Sequence, residues 1–275
     1  MPLKKFVKLT LYFGQVAQIY LRRRNALGYL EEKRKLAKAW AWKRTEFSNY
    51  YYSLTERNRK DLSFLIAYIS NTPLHTVEKY FSEVENDQAV ATSLLNFRIK
   101  HPELRDSSLG MGRRIGWYAL IRITKPRLVV ETGVHHGVGA LIIAAALLQN
   151  RKEGFRGEYL GTDINPNCGE VLSEPFSSIC SIIIGDSVET LRKIETDIDF
   201  FINDSDHNWL YELEEYFAIE SNLSEGAIIL GDNCHASDAL RKFSEKKNRH
   251  FLFFKEEPLD HFYYGAGIGV SFRKD

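Results

Sequence analysis

The sequence predicts an α/β fold, a parallel sheet with helices on both faces, preceded by a helical N-terminal extension. Three observations carry this. Short apolar, β-rich runs recur after Lys125-Pro126, at 127–131, 159–162, 181–184, 199–203, 227–230, 251–254 and 267–272. Helical patterns lie between most of them. The first run leads into a glycine-rich turn, Gly133 to Gly139, and then an apolar helix.

The extension is read from its own signals. An apolar stretch from Leu9 to Leu21 is interrupted by Gln15 and Gln18 and followed by Arg22-Arg23-Arg24, which suits an amphipathic helix better than a secretory signal. Asp61 is placed to cap a helix carrying Leu62, Leu65, Ile66 and Ile69. Thr72-Pro73 supplies a cap and a first-turn proline before Leu74, Val77, Tyr80 and Phe81. A further helix is expected from Met111 to about Ile123. The expected division is a basic, mainly helical extension over 1–107 and a catalytic domain over 108–275.

Composition narrows the class. Among 275 residues, 44% are hydrophobic and 27% charged, the balance of a soluble globular protein. No run of ~18 apolar residues predicts a transmembrane helix. Cys168, Cys180 and Cys234 show no CxxC spacing, which argues against a disulfide framework or a structural zinc site and suits a reducing, cytoplasmic setting. The net charge of +1 hides an asymmetry: residues 1–60 hold 15 Lys and Arg against 4 Asp and Glu, and the rest hold 22 against 32. The basic head suits a helix packed on the body or on a second subunit, or a peripheral membrane contact through residues 1–60. No recognition motif accompanies the charge, so nucleic acid is not expected.

In parallel sheets, ligands bind beyond the carboxyl ends of the strands. The first end, Glu131-Thr-Gly133-Val-His-His-Gly137, offers close backbone approach and a helix N-terminus to a nucleotide-type cofactor. The second ends in Asp163, suited to ribose hydroxyls, and the third in Gly185-Asp186. Either acid could instead cap a helix. The fourth reads Asn203-Asp204-Ser-Asp206-His207 and the fifth Gly231-Asp232-Asn233. If neighbours, Asp204, Asp232 and Asn233 offer three oxygen donors to a hard cation such as Mg²⁺; the alternative is solvated turn acids. His135 and His136 are expected to wall the cofactor pocket rather than bind metal, since no partner acid lies at a suggestive spacing. Trp209 and Tyr211 suit either an acceptor pocket or the core.

These motifs, in this order, resemble the class I S-adenosylmethionine-dependent methyltransferases over about residues 108–275, and within them the cation-dependent O-methyltransferases: catechol and caffeoyl-CoA types and sugar or macrolide tailoring enzymes. The resemblance implies a Rossmann-like seven-stranded, mostly parallel sheet whose last strand is antiparallel. It implies S-adenosyl-L-methionine against Glu131, Gly133, Gly137, Asp163 and Asp186, with Asp204 beside it. It implies Mg²⁺ or a similar divalent cation on Asp204, Asp232 and Asn233, with His207 as base. The expected activity is metal-assisted O-methylation of a small hydroxylated acceptor (sugar, polyketide or phenolic), by a homo-oligomer. The basic loop 151–156 and the long helical head depart from the small catechol-type enzymes.

Three other readings stand beside it. One keeps the methyltransferase but drops the metal, with Asp206 or His207 acting alone. The glycine turn also fits an NAD(P)-dependent short-chain dehydrogenase, whose Tyr-x-x-x-Lys pair occurs here only as Tyr29–Lys33, before the turn. A noncatalytic scaffold could keep the cofactor fold and act through its basic head.

Overall fold

The computed structural model describes residues 3–43, 50–104, 109–232 and 234–274. Its helices are α1 (Leu3–Trp40), α2 (Glu56–Ser70), α3 (Leu74–Glu85), α4 (Gln88–Lys100), α5 (Arg114–Thr124), α6 (Val138–Lys152), α7 (Ser187–Leu191), α8 (Trp209–Ala218) and α9 (Ala239–Lys246). Its strands are β1 (Leu128–Thr132), β2 (Glu158–Asp163), β3 (Cys180–Ile184), β4 (Ile198–Asn203), β5 (Leu223–Gly231), β6 (His250–Lys255) and β7 (Gly267–Phe272).

Among the described residues the strands form one seven-stranded sheet in the order β3-β2-β1-β4-β5-β7-β6. β1 to β5 run parallel, and β7 lies antiparallel between β5 and β6. This is the predicted architecture, with the closing hairpin at the predicted residues. The register positions the site. Thr132 pairs with both Thr162 and Asn203, and Asn203 with Gly231. Gly133, Asp163, Asp204 and Asp232 therefore leave the sheet side by side at one edge.

The sheet centre is dry: Val129, Phe200, Phe201 and Ile229 are fully buried. α6 is apolar nearly all round and buried along most of its length, as a helix covered on every side must be. The apolar faces of α2 (Leu62, Ile66, Ile69) and α3 (Val77, Phe81, Val84) are buried, and both helices pack on α5.

The chain separates into two compact units, 1–43 with 260–263 and 44–259 with 264–275, rather than at the expected boundary of 107/108. The reason is that α2, α3 and α4 bury apolar faces against α5 and α6 and so belong to the body. Element starts also differ by a few residues. The α2 cap is Thr55, whose hydroxyl accepts from the Asn58 amide at 3.3 Å, so Asp61 sits inside the helix. Pro73 occupies the cap position of α3 and makes no side-chain cap bond. α5 starts at Arg114, after a turn at Gly112.

In the smaller unit, Ile19, Tyr20 and Leu21 on α1 are adjacent and all exposed. At ~100° per residue they spread around the axis instead of forming one apolar stripe. Lys33 Nζ donates to the His261 and Tyr263 carbonyls at 3.1 and 3.3 Å, and Trp40 packs on Phe262 at 4.5 Å. Among the described residues no helix is long and apolar enough to cross a membrane. Cys168, Cys180 and Cys234 are all free thiols.

Candidate active site

A cavity of about 780 Å³ opens at the carboxyl ends of β1, β2, β4 and β5. It is lined by Glu131, Gly133, Gly137, Asp163 and Asp186, and across from the turn by Asp204, His207 and Asp232. The structure thus brings together every predicted site residue it describes. Asn233 lies outside the described residues.

The glycine turn is shaped by close approaches. At Gly133 (φ 82°) a Cβ would collide with the Asp204 carbonyl, so only glycine lets β1 and β4 end against each other. At Gly137 (φ 89°) a Cβ would lie 2.8 Å from the Gly169 Cα. Asp163 fastens this turn: one oxygen accepts from the His135 amide at 2.7 Å and the other from the Asn165 amide at 2.8 Å. Each carboxylate oxygen retains a second lone pair for a ribose hydroxyl. Asp186 caps α7, accepting from the Glu189 amide at 2.9 Å, and also accepts from the Tyr211 hydroxyl at 2.8 Å. Backbone hydrogen bonding holds its pKa below the ordinary aspartate value. Tyr211 is therefore tied to the cavity wall rather than to the core.

Glu131 and Arg114 both line the cavity. Glu131 is buried, and burial raises its pKa to about 7, offset in part by the Tyr159 hydroxyl bonded to it and the nearby charge of Arg114. Arg114 is also buried and donates to the Tyr50 carbonyl at 3.2 Å. A glutamate and an arginine are complementary to the ammonium and carboxylate of an amino acid. The cradle and this charge pair fit S-adenosylmethionine, and about 780 Å³ accommodates it with a small acceptor.

His207 precedes α8, whose cap is Asn208, accepting from the Leu210 amide at 3.0 Å. The His207 ring is 42% exposed and brings Nδ1 within 3.6 Å of the buried Glu212 carboxylate. Hydrogen bonding to Glu212 raises its pKa above the usual imidazole value, despite partial burial. A buried acid behind an imidazole that faces a cavity is the arrangement of an oriented general base.

The acid pair differs from the expected cation site. Asp204 and Asp232 do converge, but Arg113, only 7% exposed, forms an ion pair with Asp232. Its guanidinium also reaches Glu256 at 3.2 Å, and its amide donates to the same carboxylate at 3.1 Å. Tyr52 donates to Glu256 at 2.9 Å. Burial and the charge of Asp232 push the Asp204 pKa well up. Against the effect of burial, Arg113 and a hydrogen bond from Asp204 hold Asp232 below its ordinary value. With the Arg113 guanidinium already on Asp232, the acid pair does not fit a hydrated Mg²⁺, which needs free carboxylate oxygens facing it. Sequence reasoning missed Arg113 and Glu256 because 143 residues separate them.

The family model described as a methyltransferase domain matches residues 130–234. That segment runs from β1 to just past β5 and carries the strand-end residues of the cavity, while Tyr50, Arg113 and Arg114 line it from outside the segment. The match is to a methyltransferase domain and covers residues 130–234 alone. Solved structures share the fold. The O-methyltransferase TomG from Streptomyces achromogenes, in complex with SAM, is 15% identical with a TM-score of 0.53, over 69% of this chain and 91% of that one. The SAH-bound methyltransferase PaMTH1 of Podospora anserina is 19% identical with a TM-score of 0.51, over 72% and 94%. A Bacillus cereus O-methyltransferase in complex with SAH is 16% identical with a TM-score of 0.51, over 72% and 97%. No curated protein sequence matches the chain. The dehydrogenase reading loses its residue pair: Tyr29 is 87% exposed on α1, and Lys33 is spent on two backbone carbonyls.

Proposed function

We propose that the protein transfers the methyl group of S-adenosylmethionine to a hydroxyl of a small acceptor, a sugar, polyketide or phenolic, with His207 as base. The observation that carries this is the His207–Glu212 pair facing the same cavity as the glycine turn. The names of the O-methyltransferases sharing the fold support an oxygen acceptor.

Bound in the cavity, S-adenosylmethionine supplies a sulfonium methyl group for in-line displacement. Arg114 and Glu131 hold the amino-acid end by charge, Asp163 accepts from the ribose hydroxyls, and Asp186 lies towards the base. His207 takes the acceptor proton on the imidazole nitrogen remote from Glu212, leaving the oxygen to attack the methyl carbon as the carbon–sulfur bond breaks. Glu212 stabilises the imidazolium that forms. Metal assistance, which the family resemblance implies, is not carried over, because Arg113 already forms an ion pair with Asp232.

The test is transfer of labelled methyl from S-adenosylmethionine to a panel of phenols, sugars and hydroxylated polyketides, with the full chain in chelator. Methylation at oxygen that is lost in His207→Ala supports the proposal. Methylation only at nitrogen or carbon would overturn the acceptor class, and equal turnover in the variant would remove the base.

A further inference from the structure

His136, treated above only as a wall of the cavity, has a partner acid that its sequence neighbourhood does not reveal. Its Nδ1 lies 2.6 Å from Glu170 Oε1. His101, at the end of α4, brings Nε2 to 3.1 Å from the same oxygen. These three ligand atoms lie within 4.8 Å of one another. The other His101 nitrogen, Nδ1, is 2.8 Å from Glu103. A carboxylate behind one ring nitrogen fixes the tautomer and aims the other outward, as carboxylates do behind metal-ligating histidines. Phe97, buried, packs on both rings at 4.4 and 5.1 Å and limits their rotation.

We propose that His101, His136 and Glu170 form a binding site for a zinc-type divalent transition metal that ties the cofactor turn to the end of α4. Two imidazole nitrogens and one carboxylate oxygen suit Zn²⁺, with water as fourth ligand. Imidazole nitrogen disfavours Mg²⁺ and Ca²⁺, which prefer oxygen. The three ligands come from separate segments: the α4 terminus, the glycine turn and the loop after β2. Backbone bonds already join the last two, Gly169 N–H to His135 at 2.8 Å and Val171 N–H to His136 at 3.1 Å. A metal would add the tie to α4 and fix the turn that holds Asp163. The effect on cofactor affinity rests on the methyltransferase reading; metal uptake does not.

The experiment strips the full chain with chelator and titrates it with Zn²⁺ by calorimetry and with Co²⁺ by visible absorption. One equivalent of Zn²⁺ and a tetrahedral Co²⁺ spectrum are expected. Both should vanish in His101→Ala and in Glu170→Gln, and persist in Asp232→Asn, with circular dichroism confirming that each variant is folded. Glu103→Gln should weaken Zn²⁺ about 10–100-fold, the usual cost of losing a carboxylate behind a ligand. Absence of binding to the stripped wild type, binding unaffected by His101→Ala and Glu170→Gln, or loss in Asp232→Asn alone would overturn the site. Zn²⁺ uptake with no change in S-adenosylhomocysteine affinity would overturn the tie to the turn.

Discussion

Two clusters in the larger unit are built from similar charges and reach opposite ends. The inner one sets Arg113 between Asp232 and Glu256, with side chains 7%, 3% and 0% exposed. The rim cluster sets His101 and His136 around Glu170, at 21%, 33% and 36%. A guanidinium does not give up its proton, so the inner cluster keeps its side-chain cation at every working pH. Imidazoles near neutrality exchange a proton for a metal ion, and the rim cluster brings one ligand atom from each of its three residues within 4.8 Å of one another. The sequence directs attention to the acid pair as the cation site. Folding puts a side-chain cation there and assembles nitrogen ligands elsewhere.

The largest effect expected is from Arg113→Ala, which strands buried carboxylates. Removing one partner of a buried pair costs about 3–5 kcal/mol, measurable by urea unfolding. If folded, the variant should also gain Mg²⁺ binding that wild type lacks; an unchanged midpoint would show the pair to be inessential. Next is His207→Ala, expected to lower turnover about 100-fold while S-adenosylhomocysteine affinity stays within about twofold. Turnover should rise with pH through a value above the ordinary imidazole pKa of ~6.5, since the charged ring cannot accept a proton. Glu212→Gln should move that rise to lower pH; a profile that does not move would separate Glu212 from the base.

A smaller effect separates the two clusters directly. Chelation should weaken S-adenosylhomocysteine binding about fivefold, a modest coupling between sites. One equivalent of Zn²⁺ should restore it, and Mg²⁺ should not. Restoration by Mg²⁺ alone would return the cation to the acid pair. Smallest is a pH effect at Glu131. Its pKa of about 7 means that it loses its proton as pH rises through that value, so affinity for the ammonium-bearing ligand should increase across the same range. A decrease would place the ammonium elsewhere.

Much of this was legible in the sequence, and the limits have physical causes. The strand runs and closing hairpin were readable because each is a short apolar segment bounded by turns, and β7 falls at the predicted residues. The strand-end residues were readable because a parallel sheet delivers its carboxyl ends to one edge. The α2 cap was misplaced because Asp61 and Thr55 both carry capping oxygens, and only the fold selects Thr55. The boundary at 107 was not legible because burial of the α2–α4 faces depends on tertiary contact. His136 showed no partner because Glu170 is 34 residues away and is brought in by the loop after β2. Arg113 read as one more basic residue, since nothing local to Arg113-Arg114 reveals a carboxylate 143 residues on.

Under the proposed function, the cavity at the strand ends takes S-adenosylmethionine without a metal on the acid pair. The most direct measurement is calorimetric titration of the zinc-loaded full chain, free of Mg²⁺, with S-adenosylhomocysteine and separately with NAD⁺. One-to-one binding of S-adenosylhomocysteine in the micromolar range, weakened in Asp163→Ala and unchanged by added Mg²⁺, is the expected result, with no heat from NAD⁺. Binding of NAD⁺ instead, or S-adenosylhomocysteine binding that appears only when Mg²⁺ is added, would contradict it.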